Sequence, residues 1–426
     1  LWLSGPRRLL LIAPRDSYRI YPYLKAAQGL GIEALVVSDG KHSLVSSLAR
    51  GIHVDLGRPD AALQPILEAV RGSPIAGVVG TDDATVPLAY RVAQALGLAS
   101  NPPAAAVYAQ RKDRARARLR AVGVPVPDHE VMDLHAAAHG RLTTLEYPVV
   151  LKPVGLSGSR GVIRADDPPG FIAAAQRIQG ICADLPDREQ RETLLVERYV
   201  AGTEVALEGL LQEGRLQVIT LFDKPDPLEG PYFEETYYVM PSRLPAQRQD
   251  QVARTVGAAC AAYGLRAGPV HAEVRINSAG VWVIEVAART IGGQCARLLR
   301  LGAGFGVEEL VLAQAAGEPL TLEPQPEAAG VLMLPIPGAG VLRRVEGVMA
   351  AQAVPYVEEV EISVREGYEL VPLPEGRSYL GFVFARAPTP EAAEQALRAA
   401  HSRLEIVTAP VWRLNPRTVL ESAPVT

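Results

Sequence analysis

The sequence predicts an α/β and α+β multidomain chain. Three observations carry this. At 426 residues the chain exceeds one ordinary core, because a domain takes about 100–200 residues. Residues 1–105 alternate apolar runs with amphipathic stretches, the pattern of a parallel sheet with helices on both faces. From residue 106 onward, strands follow one another across short polar turns, and helices stand apart from them.

In the first unit, Leu9–Ala13 and Ile32–Val37 are apolar runs, separated by the amphipathic stretch Tyr21–Leu30 that ends at Gly31. Pro74–Val79 is a third run, followed by Gly80-Thr81-Asp82-Asp83 and a helix that stops at Gly97. Asn101-Pro102-Pro103 closes the unit. Residues 106–325 form the second. Lys112–Val122 reads as a charged helix, and Val149–Leu151, Leu194–Val196 and Glu204–Leu211 read as strands. A long polar loop over 223–243, a helix over 245–263 and a hairpin over 270–287 follow, and Glu323-Pro324-Gln325-Pro326 is a linker. Residues 326–426 form a small α+β unit. Val371–Glu375 and Tyr379–Ala385 read as strands, and Thr389-Pro390-Glu391 opens a helix to about Leu404.

Composition narrows the function classes. Hydrophobic residues make up 48% and charged residues 21%, a soluble globular balance that fits a cytoplasmic protein. The net charge is −4 and no block of like charge occurs, so neither a nucleic-acid nor a membrane partner is expected. A homodimer stays open. The chain opens on Leu1, so a few residues are expected to precede it. The run behind Arg7-Arg8 is too short for a leader and meets Arg15 at once, so it reads as a buried strand. Cys182, Cys260 and Cys295 are scattered, with no CxxC, and read as buried thiols in a reducing compartment. Of 43 lysines and arginines only Lys25, Lys41, Lys112, Lys152 and Lys224 are lysines. Where arginine is favoured throughout, a retained lysine points to a compact ammonium that meets a phosphate as a point charge.

Three segments carry chemistry. In the first, Lys152 ends an apolar strand and the loop Gly155-Leu156-Ser157-Gly158-Ser159-Arg160-Gly161 follows. Its glycines let backbone N–H groups approach an anion, and its hydroxyls add donors, which suits a cover over nucleotide phosphates. The lysine precedes the glycines, so this is no Walker loop. In the second, Leu194–Val200 runs through Ala201-Gly202-Thr203 to Glu204. Such a connector can read an adenine edge, with an acid beyond it for ribose hydroxyls. Standing alone it reads first as a strand, a turn at Ala201-Gly202 and a strand with solvated acids. In the third, His271–Arg289 alternates with period two. A three-residue turn at Ser278-Ala279-Gly280 sets Asn277 opposite Val281 and Glu273 opposite Glu285. Facing carboxylates stand about 5 Å apart at Cβ and repel unless a cation lies between them. Hard oxygen ligands beside phosphates favour Mg²⁺, with Mn²⁺ as the alternative. Arg289 lies beyond, placed for negative charge around the same ion. No GxSxG is present, no cysteine has an adjacent histidine, and His271 on its strand reads first as structural.

In this order, lysine, lysine with glycine-rich loop, connector, then paired acids and arginine, the chain resembles the ATP-grasp superfamily. It is similar above all to the carboxylate–amine ligases of the L-amino acid ligase branch, which make dipeptides. The resemblance runs from about Leu10 to Thr426. It implies an ATP-grasp fold with an N-terminal Rossmann-like pre-ATP-grasp domain (1–105), the ATP-grasp domain (106–325) and a small C-terminal α+β domain (326–426). It implies that Lys112, Lys152, Ser157, Gly158, Ser159 and Gly161 meet ATP phosphates. Glu197, Tyr199 and Val200 would border adenine, and Glu204 the ribose. Glu273 and Glu285 would hold the metal, while Arg289 and Lys152 would be catalytic. The asparagine that many relatives carry two residues after the second acid is Ala287 here, as is common in this branch, which counts against a second metal held wholly by protein. The stretch from Phe222-Asp223-Lys224-Pro225 to Gly230-Pro231-Tyr232-Phe233-Glu234-Glu235-Thr236 resembles the amino-acid site, with Glu235 and Tyr238 on substrate, and His271 and Arg289 beside them.

The implied reaction is ADP-forming. A carboxylate becomes an acyl phosphate, and an amine displaces phosphate to give an amide or dipeptide. The alternatives are a ligase or carboxylase for a non-amino-acid carboxylate or bicarbonate, and a non-catalytic nucleotide sensor. A nicotinamide enzyme is disfavoured, because Ala13-Pro14-Arg15-Asp16-Ser17 after the first strand lacks GxGxxG.

Overall fold

The computed structural model describes residues 7–40, 51–136, 142–300, 305–318, 320–321 and 327–411. The linker read over 323–326 lies outside them. Four parallel strands form the first sheet, in the order Gly51–His53, Ile32–Ser38, Arg7–Ile12, Gly77–Gly80. Leu9, Leu10, Leu11 and Ile12 are fully buried because both faces of their strand are covered. Leu9 and Leu11 pack with Ile20, Tyr23 and Leu310, while Leu10 and Ile12 pack with Ile66, Leu88 and Val92 on the opposite face. Each such side chain contributes about 1.5–3 kcal/mol through burial. Gly77 must be glycine for a tertiary reason. A Cβ there would lie 2.2 Å from the carbonyl oxygen of Ala315, where helix Val307–Ala315 docks on the sheet edge.

The second sheet is antiparallel, in the order His129–Asp133, Thr193–Arg198, Val149–Pro153, Ile163–Ala165. Helix Pro168–Cys182, capped by the Asp167 side chain on the Gly170 N–H, covers one face. Val149 and Leu151 point into that core, so alternation sends Lys152 to the other face, where it is still buried.

The third sheet has eight antiparallel strands. Their order is Gly280–Ala287, Gly268–Asn277, Thr203–Gln212, Arg215–Asp223, Tyr237–Met240, Ala328–Leu334, Gly381–Ala387, Val357–Ile362. Strands from both sides of residue 326 join here, through Tyr237 opposite Leu332. A small sheet of Glu369–Leu370, Gly340–Glu346 and Glu405–Ala409 completes the C-terminal portion. Helix Pro390–His401 begins as expected, with Thr389 accepting from the Ala392 N–H, and stops three residues short of Leu404.

Three local expectations are corrected. The stretch 223–243 is not one loop, because Tyr237–Met240 forms a fully buried strand within it. Val371–Glu375 is not a strand. Pro372 and Pro374 lack the N–H groups a ladder needs, and the chain instead turns back with the Gly376 N–H on the Pro372 carbonyl. The hairpin turn is not Ser278-Ala279-Gly280, since Asn277 pairs with Gly280 across a two-residue turn. No helix among the described residues is long and apolar enough to cross a membrane.

Candidate active site

A cleft lined by Tyr108, Lys112, Arg116, Ile284 and Glu285 opens beside helix Lys112–Ala121, whose Arg116 bonds Glu197 of the second sheet and the Ile284 carbonyl of the third, and the side chains singled out from sequence fall into four groups around it. Lys152 projects from its strand onto Glu197 of the neighbouring strand, with Nζ 2.6 Å from Oε2. Arg116, from helix Lys112–Ala121, bonds the other oxygen, Oε1. Burial pushes the Glu197 carboxyl up, but the Arg116 and Lys152 charges outweigh it and hold it at about 2. Burial also draws the Lys152 ammonium below its usual range. Among its contacts, Glu197 therefore acts through its carboxylate, as the anchor of the cleft lysine.

The glycine-rich loop continues from the Lys152 strand. Gly158, Ser159 and Gly161 all take left-handed backbone angles, which turn the loop back on itself. A Cβ on Gly161 would lie 2.6 Å from the Pro153 ring. Lys112 donates to the Leu156 carbonyl at 2.5 Å, and its Nζ stands 3.5 Å from Glu285. The C-terminal portion holds the far side of the loop. The Gly161 N–H donates to the Pro374 carbonyl at 2.9 Å, and Arg160 donates to the Glu375 carbonyl at 3.1 Å. Arg177 bonds the Glu375 carboxylate and the Tyr232 hydroxyl.

The third group surrounds Lys224. Its ammonium lies 2.8 Å from Glu204, 2.6 Å from Glu235 and 3.2 Å from Glu273, and 5.1 Å from the Tyr238 ring centre. Burial lowers the lysine, but the three carboxylates more than offset it and keep it charged. Burial, with the Glu273 charge added, lifts Glu235 to about 7 against the pull of Lys224. Glu204 is shared with Arg275, which bonds it at 2.8 Å and also donates to the Val200 carbonyl at 2.8 Å. The Tyr199 ring lies between the guanidinium groups of Arg164 and Arg275, at 4.4 and 5.1 Å. His271 Nε2 stands 3.5 Å from Glu273, and its Nδ1 faces Glu208 at 3.3 Å, too misaligned for a hydrogen bond. Burial pulls the imidazole down, yet those two carboxylates raise it to about 9.

Arg289 forms the fourth group. It is buried at the end of the hairpin, and its Nε donates to Asp83 of the first sheet unit at 2.8 Å. Glu273 and Glu285 do occupy one rung. Their carboxylates meet separate lysines, Lys224 and Lys112. Among the described residues, the three acids whose oxygens come within 4.8 Å of one another are Glu204, Glu235 and Glu273. The Lys224 ammonium already lies among these three oxygens and neutralises them, so a divalent cation there would have to displace it, whereas the Glu273–Glu285 rung offers hard carboxylate oxygens of the kind Mg²⁺ takes. Arg116 and Glu208 were missed from sequence, and Asp83 was legible only as part of a segment at a strand's carboxyl end, where such sheets form clefts. Arg116 sits in KDRARARLRA, which reads as a solvated charged face, while the scarcity of lysine and the stretch Phe222-Asp223-Lys224-Pro225 both pointed to Lys224.

Comparison with known proteins follows this geometry. Residues 145–297 match the model for the ATP-grasp domain, and residues 24–100 match that for the ATP-grasp N-terminal domain. The chain belongs to the ATP-grasp superfamily. Residues 332–409 match L-amino acid ligase C-terminal domain 2. Carnosine synthase 1 of Gallus gallus is 31% identical over 352 residues, which cover 77% of this chain and 37% of that protein. The D-alanine–D-alanine ligase of Ectopseudomonas mendocina is 26% identical over 221 residues, covering 49% and 65%. The chain thus spans less than two thirds of either relative's length. A solved L-amino acid ligase from Bacillus licheniformis has a TM-score of 0.82 at 24% identity, over 94% of this chain and 98% of that one, so the ATP-grasp fold is shared. In domain set and relatives the chain is similar to ATP-grasp ligases.

Proposed function

We propose that this protein joins the carboxylate of an amino acid to an amine, at the expense of ATP cleaved to ADP and phosphate. What supports the reading is that Lys152, Lys112, Glu285 and Arg289 each lie within electrostatic reach of the next, with Glu273 on the rung of Glu285. The names of the relatives, a carnosine synthase and a D-alanine–D-alanine ligase, point the same way.

The chain's residues divide the work. Lys152 and Lys112 meet phosphate oxygens, and Ser157, Gly158, Ser159 and Gly161 close over them. Glu197, Tyr199 and Val200 border the base, and Glu204 the ribose. Glu273 and Glu285 hold Mg²⁺, which when bound neutralises phosphate charge. The substrate carboxylate oxygen attacks the γ-phosphorus, and the bond to the ADP oxygen breaks. The neutral amine then attacks the acyl carbon, its nitrogen gives up a proton to the departing phosphate, and the oxyanion collapses as the C–O bond to that phosphate breaks. Arg289 spreads the negative charge in both steps. Glu235, Tyr238 and His271 line the substrate side, where the Glu235 carboxylate takes the ammonium group of an amino acid. The loop contacts to Pro374 and Glu375 keep water from the acyl phosphate. The substrates are small molecules, and neither nucleic acid nor a membrane has a part in the scheme.

The test is release of ADP and phosphate from ATP and Mg²⁺, screened over single amino acids and pairs, with Glu285→Ala as control. Turnover that depends on particular amino acids and is lost in the control supports the reading. ATP bound without turnover for any acid–amine pair refutes it.

A further inference from the structure

Arg289 has to offer its guanidinium at one fixed place, and the segment carrying it is gripped from several directions. Arg19, from the first sheet unit, donates to the carbonyls of Thr290 and Ile291 at 3.0 and 2.8 Å, and to the Thr290 hydroxyl at 3.1 Å. The Ile291 N–H donates to Glu208, a carboxylate with no exposed surface, at 3.1 Å. The arginine head is held by Asp83 at Nε, 2.8 Å, and by the Thr290 carbonyl at Nη1, 3.0 Å. Nη2 has no hydrogen-bond partner among the described residues. Asp83 is itself fixed. Its carbonyl accepts from the Gln110 side chain. The preceding Asp82 takes the hydroxyls of Ser17 and Thr81, each at 2.6 Å, and its backbone is bonded twice by the buried Thr85.

We propose that Asp83 is the positioning residue for Arg289, and that through it the first sheet unit takes part in the chemistry. The inference rests on the ligase reading. A guanidinium is planar, so fixing Nε and one terminal nitrogen fixes the plane and aims the remaining N–H groups. Asp83 takes Nε and the Thr290 carbonyl takes Nη1. Nη2 is then presented as a preset donor to the oxyanion that develops on the acyl phosphate and on the tetrahedral carbon. A carboxylate does this better than a neutral acceptor, because the bond to the cation is charge-assisted. Asp83 does not touch substrate in this scheme. It acts only through Arg289.

The experiment measures kcat, the KM for ATP, ATP affinity by calorimetry and the thermal midpoint for Asp83→Ala and Asp83→Asn. Each is made alone and in an Arg289→Lys background. Asp83→Ala is expected to lower kcat ten- to a hundredfold with ATP affinity unmoved, and to lower the thermal midpoint because Arg289 loses its ion-pair partner. Asp83→Asn, which keeps the shape and an acceptor oxygen, should lose less. In the Arg289→Lys background, Asp83→Ala should change kcat less than threefold. Wild-type kcat in both Asp83 variants, or a full further loss in the Arg289→Lys background, overturns the inference and leaves the ligase reading standing. Absence of turnover in the unsubstituted protein overturns both.

Discussion

Glu197→Gln tests whether the buried carboxylate anchors the cleft lysine. The substitution keeps the shape and removes the charge between two cations. The Lys152 side chain is 9% exposed, that of Arg116 1% and that of Glu197 2%, so water cannot replace the lost anion. Removing one member of a buried ion pair costs about 3–5 kcal/mol, because the other charge stays desolvated and unpaired. That corresponds to roughly a hundred- to several-thousandfold in the folded-to-unfolded ratio. The sign with pH follows from the depressed carboxyl. In the folded protein it lies at about 2, against an ordinary 4.5, so its contribution is complete above 4.5 and is lost as pH falls toward 2. Urea unfolding of both proteins, followed by circular dichroism at neutral pH and at successively lower pH, measures the gap. A gap below about 1 kcal/mol at neutral pH, where even an exposed pair could supply it, refutes the argument. So does a gap that stays constant as the acid range is entered.

Two further outcomes are expected. Gly161→Ala puts a Cβ against the Pro153 ring at a backbone angle of +72°, costing about 1–3 kcal/mol locally. The loop should lift, and calorimetry should show weaker ATP binding with the thermal midpoint nearly kept; unchanged affinity would count against the cover role. Burial lifts Glu308 to about 7, with the Glu309 and Glu208 carboxylates adding to it. Its stabilising contribution is present below 4.5 and lost as pH rises through 7. Glu308→Gln should therefore be more stable than the parent by about 1–2 kcal/mol at mildly alkaline pH, allowing for partial exposure, and equal near pH 5. Equal stability at both pH values would show that the carboxyl is not strained.

The rung that brings Glu273 opposite Glu285 shows how a sequence reading can reach a correct pairing by an incorrect route. Period-two alternation sets the strands, and a three-residue turn sets the two acids opposite each other. The turn has two residues, which shifts Val274 onto Val283. A bulge at Ile284 then restores the rung, so that Glu273 meets Glu285. The bulge is stabilised from outside the hairpin. The Val283 N–H goes to the Pro125 carbonyl at 2.9 Å, and the Ile284 carbonyl accepts from Arg116 at 2.5 Å. Neither Pro125 nor Arg116 can be assigned to that rung from local pattern. Val371–Glu375 is the opposite case, since Pro372 and Pro374 stand in the segment itself and local chemistry alone rules out a ladder there.

What the sequence determined alone is what depends on neighbours along the chain. It contained the apolar runs of the first sheet, the glycines that take left-handed angles in the loop, the hydroxyl cap at Thr389 and the order of the chemical segments. Those features follow from steric preference and periodicity, which act over a few residues. The tertiary structure decided which charge each charge would meet. Lys224 among three acids, Arg116 on Glu197 and Asp83 on Arg289 join residues up to 206 positions apart. Burial makes those meetings consequential, because an unpaired charge is tolerable in water and costly in the cleft, and burial is a property of the packed sheets rather than of any segment.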